Sequence, residues 1–225
     1  MAVRGVIMEQ LYNLLHNSMP LLMQGFWTTM RLWIGASTIS LLLGIVLGVL
    51  RSHAVRTPYI SPLLDGITFV FRGVPFYVQL LIAYFVVPSI LGIQVTAFTT
   101  ALVSLGLCSA SYVSQIVRGG INAISVGQWE AAYVLGCSTF ETVRYIIVPQ
   151  MVKIVLPALV GECDQLLKSS SIVSVIGVLE LTGAGRNIVA QEMNPLTMYT
   201  VLALVYLGIS AVLAIVAWRF EQKMR

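Results

Sequence analysis

Long uncharged segments, separated by short polar ones, dominate the hydrophobic pattern of this chain. Residues 32–50 carry no charged side chain, and extending this segment back to Leu22 admits only Arg31. Residues 73–117 and 193–218 are also uncharged. Because about 20 apolar residues suffice for a helix to cross a bilayer, the pattern predicts a protein with several membrane spans.

Residues 73–117 are too long for a single crossing and must turn. The natural turn is "PSILGIQ" at residues 88–94, which contains proline and glycine. This division gives the upper part of span two and all of span three. We therefore predict an all-α fold, a polytopic membrane helix bundle of about five transmembrane helices. It forms a single domain over residues 1–225, with residues 1–20 as an interfacial lead-in.

Residues 146–181 are long enough to cross a bilayer but are not uniformly apolar. The charged side chains in this segment are Lys153, Glu162, Asp164 and Lys168. Charged groups inside a membrane face protein or water rather than lipid. We therefore predict that the inner face of span four contacts other helices or an aqueous path.

Lysine and arginine near the span ends indicate the orientation, because they concentrate on the cytoplasmic side. With five spans, one side of the membrane receives Arg51, Arg56, Arg118, Arg144, Arg219, Lys223 and Arg225. The opposite side has the uncharged turn and a loop at residues 180–192 whose only base is Arg186. This asymmetry places the N-terminus outside and the C-terminus in the cytoplasm.

A polar segment, "GQWEAAYVLGCSTFETVRYIIVPQ", interrupts the apolar pattern after span three. Gly127 is an acceptable N-cap, and it places Glu130 at the third helical position, near the positive end of the helix dipole. Gly136 can end this helix with a positive φ. Two neighbouring alanines leave one face of the helix almost without side chains, which suits close approach by a partner, although a stabilised cytoplasmic loop has the same features.

A second helix follows in the same segment. Ser138 and Glu141 have the spacing of a capping box. The helix is predicted to run to Val148, because Pro149 disfavours helical geometry in the residue before it. The segment is thus a cytoplasmic helix–turn–helix between spans three and four.

Composition narrows the function classes. The chain is 58% hydrophobic and 10% charged, with a mean hydropathy of +0.90, outside the range of soluble domains. The net charge of +4 comes without a basic run interleaved with aromatics, so we predict no nucleic-acid partner. The three cysteines have neither metal nor disulfide spacing, and no phosphate-binding P-loop motif occurs. We therefore predict no catalytic residues, no metal and no ATP site in this chain.

The polar segment resembles the cytoplasmic signature of the integral membrane permeases of ABC importers. That signature reads E-A-A, three residues, G, nine residues, I, one residue, L-P. The matching residues here are Glu130, Ala131, Ala132, Gly136, Ile146, Val148 and Pro149, with valine in place of leucine. The resemblance implies that residues 127–137 form a coupling helix that docks on a separate ATPase subunit.

Three further blocks resemble the branch that imports polar amino acids, which includes the histidine, glutamine and arginine permeases. They are "FRGVPFYVQL" (71–80), "IVRGGINAISVGQWEAA" (116–132) and "LLKSSSIVSVIGVLEL" (166–181). The chain departs from the family at Gln115, where a glutamate is usual, and at Ser169, where an aspartate is frequent. The resemblance implies the permease subunit of an ATP-driven amino acid importer.

The resemblance also implies partners and a location. An ATP-binding subunit would bind ATP and Mg, and an extracytoplasmic solute-binding protein would deliver a polar amino acid. Because five spans can hardly enclose a path alone, a second permease copy or a sister permease is expected beside it, surrounded by membrane lipid. The expected location is the cytoplasmic (inner) membrane of a bacterium.

An amino acid needs a cation for its carboxylate and an anion or acceptors for its ammonium. Few intramembrane residues qualify, and the predicted substrate path consists of Arg72, Gln79, Glu162, Asp164, Lys168, Ser170 and Ser171. Gly73 and Pro75 break helical hydrogen bonding there, as discontinuous helices do in transporters. The alternative is that the charges form structural ion pairs, for example Lys168 with Asp164 at i,i+4.

Two other features are weaker candidates. Asp65 lies near the cytoplasmic entry of span two and is expected to be solvated. "TGAGRN" at residues 182–187 is expected to form a glycine-rich turn or an anion-binding nest.

Other functions stay open at this point. The alternative within the same family is an ABC permease for another small polar solute. A secondary transporter or channel would need its own ion site and typically more spans or an internal repeat, and the sequence contains no such repeat.

The topology generates the first prediction. A Ser89→Cys variant should react with a membrane-impermeant thiol reagent from outside intact cells, because the turn between spans two and three faces outward. A cysteine at Lys223 should react only after the membrane is opened. The reverse pattern of labelling would show that the span count is wrong.

Overall fold

The structure, a computed structural model, describes the backbone of residues 2–224 and the side chains of residues 16–222. The described backbone is helical and contains no strand, so the predicted all-α class is confirmed. In chain order the helices are α1 (Ala2–Leu50), α2 (Ile60–Gly73), α3 (Phe76–Leu91), α4 (Ala97–Asn122), α5 (Val126–Val134), α6 (Thr139–Ile176), α7 (Leu181–Glu192) and α8 (Pro195–Met224).

Four helices, α1, α4, α6 and α8, are long and apolar enough to cross a bilayer. The pair α2–α3 makes a fifth span if it is counted as one, although it is bent by 101° between its halves. Helices α1 and α4 run parallel, because Gly35 lies beside Leu102 and Gly48 beside Val117. The chain must therefore cross back between them, and the bent α2–α3 pair makes that return.

Of the predicted lead-in at residues 1–20, the described residues 2–20 are the first part of α1. The helix continues through Pro20 without a break, although proline removes one backbone hydrogen bond. Side chains of residues 1–15 lie outside the described part of the chain. Placement of this segment at the membrane surface stays a prediction.

Close backbone approach joins α1 to α4. A Cβ atom added at Gly44 would stand 2.5 Å from Val113, and one at Gly48 would stand 2.6 Å from Val117. Only glycine leaves room for α4 at these positions. Small residues play the same role in many membrane helix pairs, where dispersion contacts replace the hydrophobic effect as the source of association.

Helix α6 corrects the prediction that its first segment stops before Pro149. The Ser138–Glu141 capping box is present as predicted, but the helix then continues to Ile176. A π-helical stretch at Thr142–Ile147 inserts one extra residue, and the Val148 amide donates to Val143. Because Pro149 stands at the start of the α-helical part that follows, its missing amide hydrogen costs no hydrogen bond there.

The prediction of a loop at residues 180–192, with a glycine-rich turn or anion nest at residues 182–187, is wrong. Residues 181–192 form helix α7, which packs against α1 and α8. Gly183, Ala184 and Gly185 are buried in that contact. Their small size suits close packing, which the sequence alone does not distinguish from a flexible turn.

The start of α7 has a complete set of partners for its first amides. Glu180 Oε2 accepts from the Thr182 amide at 2.8 Å, and its Oε1 accepts from the Gly183 amide at 2.7 Å. The Leu181 amide donates to Thr29 Oγ1 on α1 at 3.0 Å. Burial raises the pKa of the Glu180 carboxyl, and the two amides counteract this shift. Glu180 therefore caps α7, and the Leu181 amide ties the same turn to α1.

This cap generates a prediction of stability. Replacing Glu180 with alanine should lower the free energy of unfolding by about 1–2 kcal/mol, the usual cost of losing a helix N-cap. Glu180→Gln keeps one acceptor and should lower the free energy of unfolding by less. Thermal unfolding of the purified protein in detergent would measure both. Glu192→Gln, at the exposed end of the same helix, is the control; equal stability of all three variants would contradict the cap assignment.

Candidate functional site

A cavity of about 470 Å³ lies where the α2–α3 break meets α4 and α6. Its wall mixes apolar side chains with a few polar ones. The charged or hydrogen-bonding side chains in the wall are Arg72, Ser109, Tyr112, Glu162, Gln165 and Ser169. Small-molecule sites in proteins have this size and this sparse set of polar groups.

The break itself is stabilised by a side chain. Val74 is extended and Pro75 has no amide hydrogen, so the carbonyl groups before them lose their helical donors. Gln79 Nε2 donates to the carbonyl oxygen of Phe71 at 2.7 Å and to that of Val74 at 2.6 Å. Gln79, predicted in the substrate path, thus supports the break and does not line the cavity.

Arg72 and Glu162 are the two charged residues in the cavity wall. Arg72 Nε donates to the Thr68 carbonyl at 3.3 Å. Glu162 Oε1 accepts from Ser109 Oγ at 2.7 Å, and Ser109 in turn accepts from Ser40 at 2.8 Å. Within the described residues, neither charge takes part in an ion pair.

The other predicted path residues lie elsewhere on α6. Lys168 Nζ pairs with Asp164 Oδ2 at 2.5 Å, and Asp164 Oδ1 also accepts from Ser210 on α8 at 2.6 Å. Ser170 and Ser171 donate to backbone oxygens of their own helix. None of these four residues lines the cavity. The geometry of Lys168 is that of the ion-pair alternative.

Sequence reasoning missed Ser109 and Tyr112. Ser109 orients the Glu162 carboxylate, and Tyr112 Oη donates to the Arg72 carbonyl at 3.4 Å. A signal was present, because α4 carries several hydroxyl side chains in its uncharged part, residues 97–117. Hydroxyl groups inside a membrane mark a helix that packs against other helices or an aqueous path.

Asp65, expected to be solvated, instead joins a cluster of arginines. It pairs with Arg51 at 2.8 Å and with Arg118 at 2.8 Å, while Arg56 stands at 3.9 Å. Arg51 is almost fully buried and also donates to Ser114 Oγ at 2.6 Å. The prediction failed because Arg51 and Arg118 reach Asp65 from other helices.

The predicted coupling helix is α5, and its N-cap needs correction. Ser125, not Gly127, is the N-cap, and its hydroxyl accepts from the Gly127 amide at 3.3 Å. A serine oxygen can accept this hydrogen bond, whereas glycine has no side chain to do so. Glu130 is consequently the fifth helical residue and is exposed, rather than the third.

The end of α5 matches the prediction and presents an apolar surface. Gly136 has φ 77° and ends the helix, a conformation that glycine adopts without strain. Ala132 is buried against the rest of the chain, whereas Ala131 is exposed. Around the turn the structure exposes large apolar side chains, namely Tyr133, Val134, Leu135 and Phe140. Such a cluster outside the bundle is typical of a protein contact.

Two permeases are similar to this chain over most of its length. The arginine transport system permease protein ArtQ of Bacillus subtilis (strain 168) is 37% identical over 206 residues, which cover 92% of this chain and 93% of ArtQ. The glutamine transport system permease protein GlnP of Escherichia coli (strain K12) is 35% identical over 213 residues, covering 92% of this chain and 94% of GlnP.

Solved structures agree in fold. A crystal structure of an amino acid ABC transporter with histidines superimposes with a TM-score of 0.85 and 32% identity, covering 93% of this chain and 96% of that one. The MetNI methionine ABC transporter, in inward-facing conformations, gives a TM-score of 0.79 at 20% identity over 92% of this chain and 97% of that one. The latter similarity concerns the fold alone.

Residues 40–225 match the family described as the inner membrane component of binding-protein-dependent transport systems. This match covers most of the chain and confirms the resemblance found in the sequence. Such components are multi-pass membrane permeases rather than enzymes. The chain therefore belongs to the family of binding-protein-dependent transport system inner membrane components, the permeases of ABC importers.

Proposed function

We propose that this chain forms the translocation path for a polar amino acid and that Arg72 and Glu162 bind the substrate. The observation that carries the proposal is the presence of two opposite, unpaired charges in the wall of one cavity. A free amino acid carries a carboxylate and an ammonium. The Arg72 guanidinium can receive the first, and Glu162 the second, through charge-assisted hydrogen bonds.

The relatives support this substrate class. Their names specify arginine and glutamine, and the solved amino acid transporter contains histidines. These amino acids differ in their side chains but share the α-carboxylate and the α-ammonium. A site built from one cation and one anion recognises what they share.

Desolvation explains why two unpaired charges are useful here. A charged group held in a membrane protein without a partner is costly, so an incoming group of opposite charge is strongly favoured. The Ser109 hydroxyl fixes one Glu162 oxygen and leaves the other free to accept from a ligand. The charges of Lys168 and Asp164, by contrast, already neutralise each other and therefore attract a charged substrate group less strongly.

We propose α5 and the turn after it as the contact with the ATPase. The exposed apolar side chains at residues 133–135 support this docking role, because they project from the bundle without internal contacts to cover them. ABC importers of this family include an ATP-binding subunit and a binding protein. In this proposal ATP and Mg bind only to the ATPase partner, and a solute-binding protein delivers the amino acid.

The assembly and orientation are part of the same proposal. A second permease copy or a sister permease would complete the path, and the complex would lie in the cytoplasmic membrane of a bacterium. The distribution of arginines supports an outward N-terminus and a cytoplasmic C-terminus. With that orientation α5 lies on the cytoplasmic side, where ATP is available.

Substitutions in the cavity test substrate binding. Arg72→Gln and Glu162→Gln should each weaken apparent affinity by about 1.5–3 kcal/mol, the usual value for a lost hydrogen bond to a charged group. Uptake of labelled amino acids into vesicles that contain the assembled complex would measure this effect. Protein yield and basal ATPase activity should remain close to wild type.

Lys168→Gln is the matched control on α6. Lys168 is largely exposed, and Asp164 keeps its hydrogen bond from Ser210, so uptake should change little. Full uptake by both Arg72→Gln and Glu162→Gln would end the binding proposal. A loss of yield in both would instead favour a structural role for these charges.

Substitution of Gly136 tests the coupling of ATP hydrolysis to uptake. Gly136→Leu should abolish ATP-driven uptake while the protein stays inserted, because a bulky side chain would keep the ATPase surface away. A Cβ atom at Gly136 meets nothing within 4 Å of this chain, so a side chain at this position starts in open space. Gly136→Ala carries the same backbone strain at φ 77° with little bulk and is the control. Normal uptake by Gly136→Leu, assayed in reconstituted vesicles, would contradict the docking role.

A further inference from the structure

Helix α2 is oriented with its polar face inward. Ser61 and Thr68 are buried, whereas Leu63 and Ile67 are 64% and 44% exposed. A membrane helix that faces lipid has this arrangement, because lipid is as apolar as the side chains it covers. Apolar burial therefore contributes little to holding α2 on the bundle, and polar contacts must hold it there.

The ionic contacts of α2 converge on one carboxylate. Asp65 Oδ1 accepts from Arg51, at the end of α1, and from Arg118 on α4, each at 2.8 Å. Arg51 is 1% exposed and its charge cannot be balanced by water. Among the described residues, Asp65 is the carboxylate that pairs with either arginine. It joins three helices at one end of the bundle.

Helix α2 connects Asp65 to the cavity, because Arg72 in the cavity wall lies on the same helix. Asp65, Thr68 and Arg72 have spacings of three and four, so they lie along one face of α2. The Thr68 hydroxyl donates to the Asp65 carbonyl at 3.2 Å, and Arg72 Nε donates to the Thr68 carbonyl. The rise from Asp65 to Arg72 is about 10 Å at 1.5 Å per residue. A shift of the helix at Asp65 therefore moves Arg72 and the break beside it.

We propose that Asp65 is a positioning residue for the cavity. By binding Arg51 and Arg118, it sets the height and rotation of α2, and so the place at which Arg72 faces Glu162 on α6. This inference rests on the proposed function for the role of Arg72 in binding substrate. The placement of α2 by Asp65 can be tested without any transport assay.

Cys108 is a native reporter of α2 placement. It lines the cavity, is 9% exposed, and its Sγ stands 3.9 Å from the Phe71 carbonyl on α2. In a Cys137→Ser, Cys163→Ser background, Cys108 is the remaining thiol. Its rate of alkylation by a small membrane-permeant maleimide, followed by mass spectrometry, reports whether α2 still covers it.

We expect Asp65→Asn to raise the alkylation rate of Cys108 by roughly threefold or more, because neutral asparagine binds the two arginines more weakly than a carboxylate does. Since removal of the carboxylate leaves Arg51 without a counter-charge, this variant can fold poorly. Asp65→Glu keeps the charge on a longer arm. It should fold well, raise the Cys108 rate by a smaller factor, and raise the half-saturating amino acid concentration more than it lowers the maximal uptake rate.

Arg56→Gln is the matched control. Arg56 is 55% exposed and stands at 3.9 Å from Asp65, so its loss should leave Cys108 alkylation unchanged. If both Asp65 variants lower the yield while Cys108 in the folded fraction reacts at the wild-type rate, Asp65 serves stability alone and the proposal is overturned. If the Cys108 rate rises but wild-type complex carries no amino acid, the placement of α2 stands and the proposed function fails.

Discussion

A backbone amide or carbonyl that leaves a helix inside a bilayer must find another partner within the protein, because hydrocarbon offers none. Buried backbone groups outside the bilayer have a similar need, and three irregular points of the chain show how it is met. At the α2–α3 break, Gln79 donates to two freed carbonyls. At the start of α7, Glu180 and Thr29 receive the first amides. The π-helical stretch before Pro149 keeps α6 continuous where proline would otherwise interrupt its hydrogen bonds.

The same constraint separates the carboxylates Asp65 and Asp164 from the two charges in the cavity wall. Asp164 is satisfied by Lys168 and Ser210, and Asp65 by two arginines, so these carboxylates hold helices together. Arg72 and Glu162 have backbone or hydroxyl partners but no opposite charge among the described residues. Charges without counter-charges are expensive within a membrane, and their occurrence in one cavity is what favours the proposed binding site over an ion-pair network.

Several expectations from sequence were local in origin and were confirmed for that reason. The Ser138–Glu141 capping box and the positive φ at Gly136 depend on residues within one turn of each other. The N-cap of α5 is also local, but the prediction chose Gly127. Ser125 is the N-cap because its hydroxyl accepts a hydrogen bond from the Gly127 amide, which a glycine cannot do. The loop prediction for residues 180–192 failed because small residues suit a turn and a tight helix contact equally. Only the presence of α1 decides between the two.

The sequence by itself determined the helical class, the approximate number of spans and the family, since these depend on uncharged length and on spacing along the chain. Tertiary structure alone decided which charges meet. Ser109 and Glu162 are 53 residues apart, as are Asp65 and Arg118. No spacing rule reaches across such separations, because the contacts depend on how α1, α2, α4 and α6 pack. The parallel packing of α1 on α4, through glycines that carry no polar signal, places the arginines at Asp65 and leaves Arg72 in the cavity.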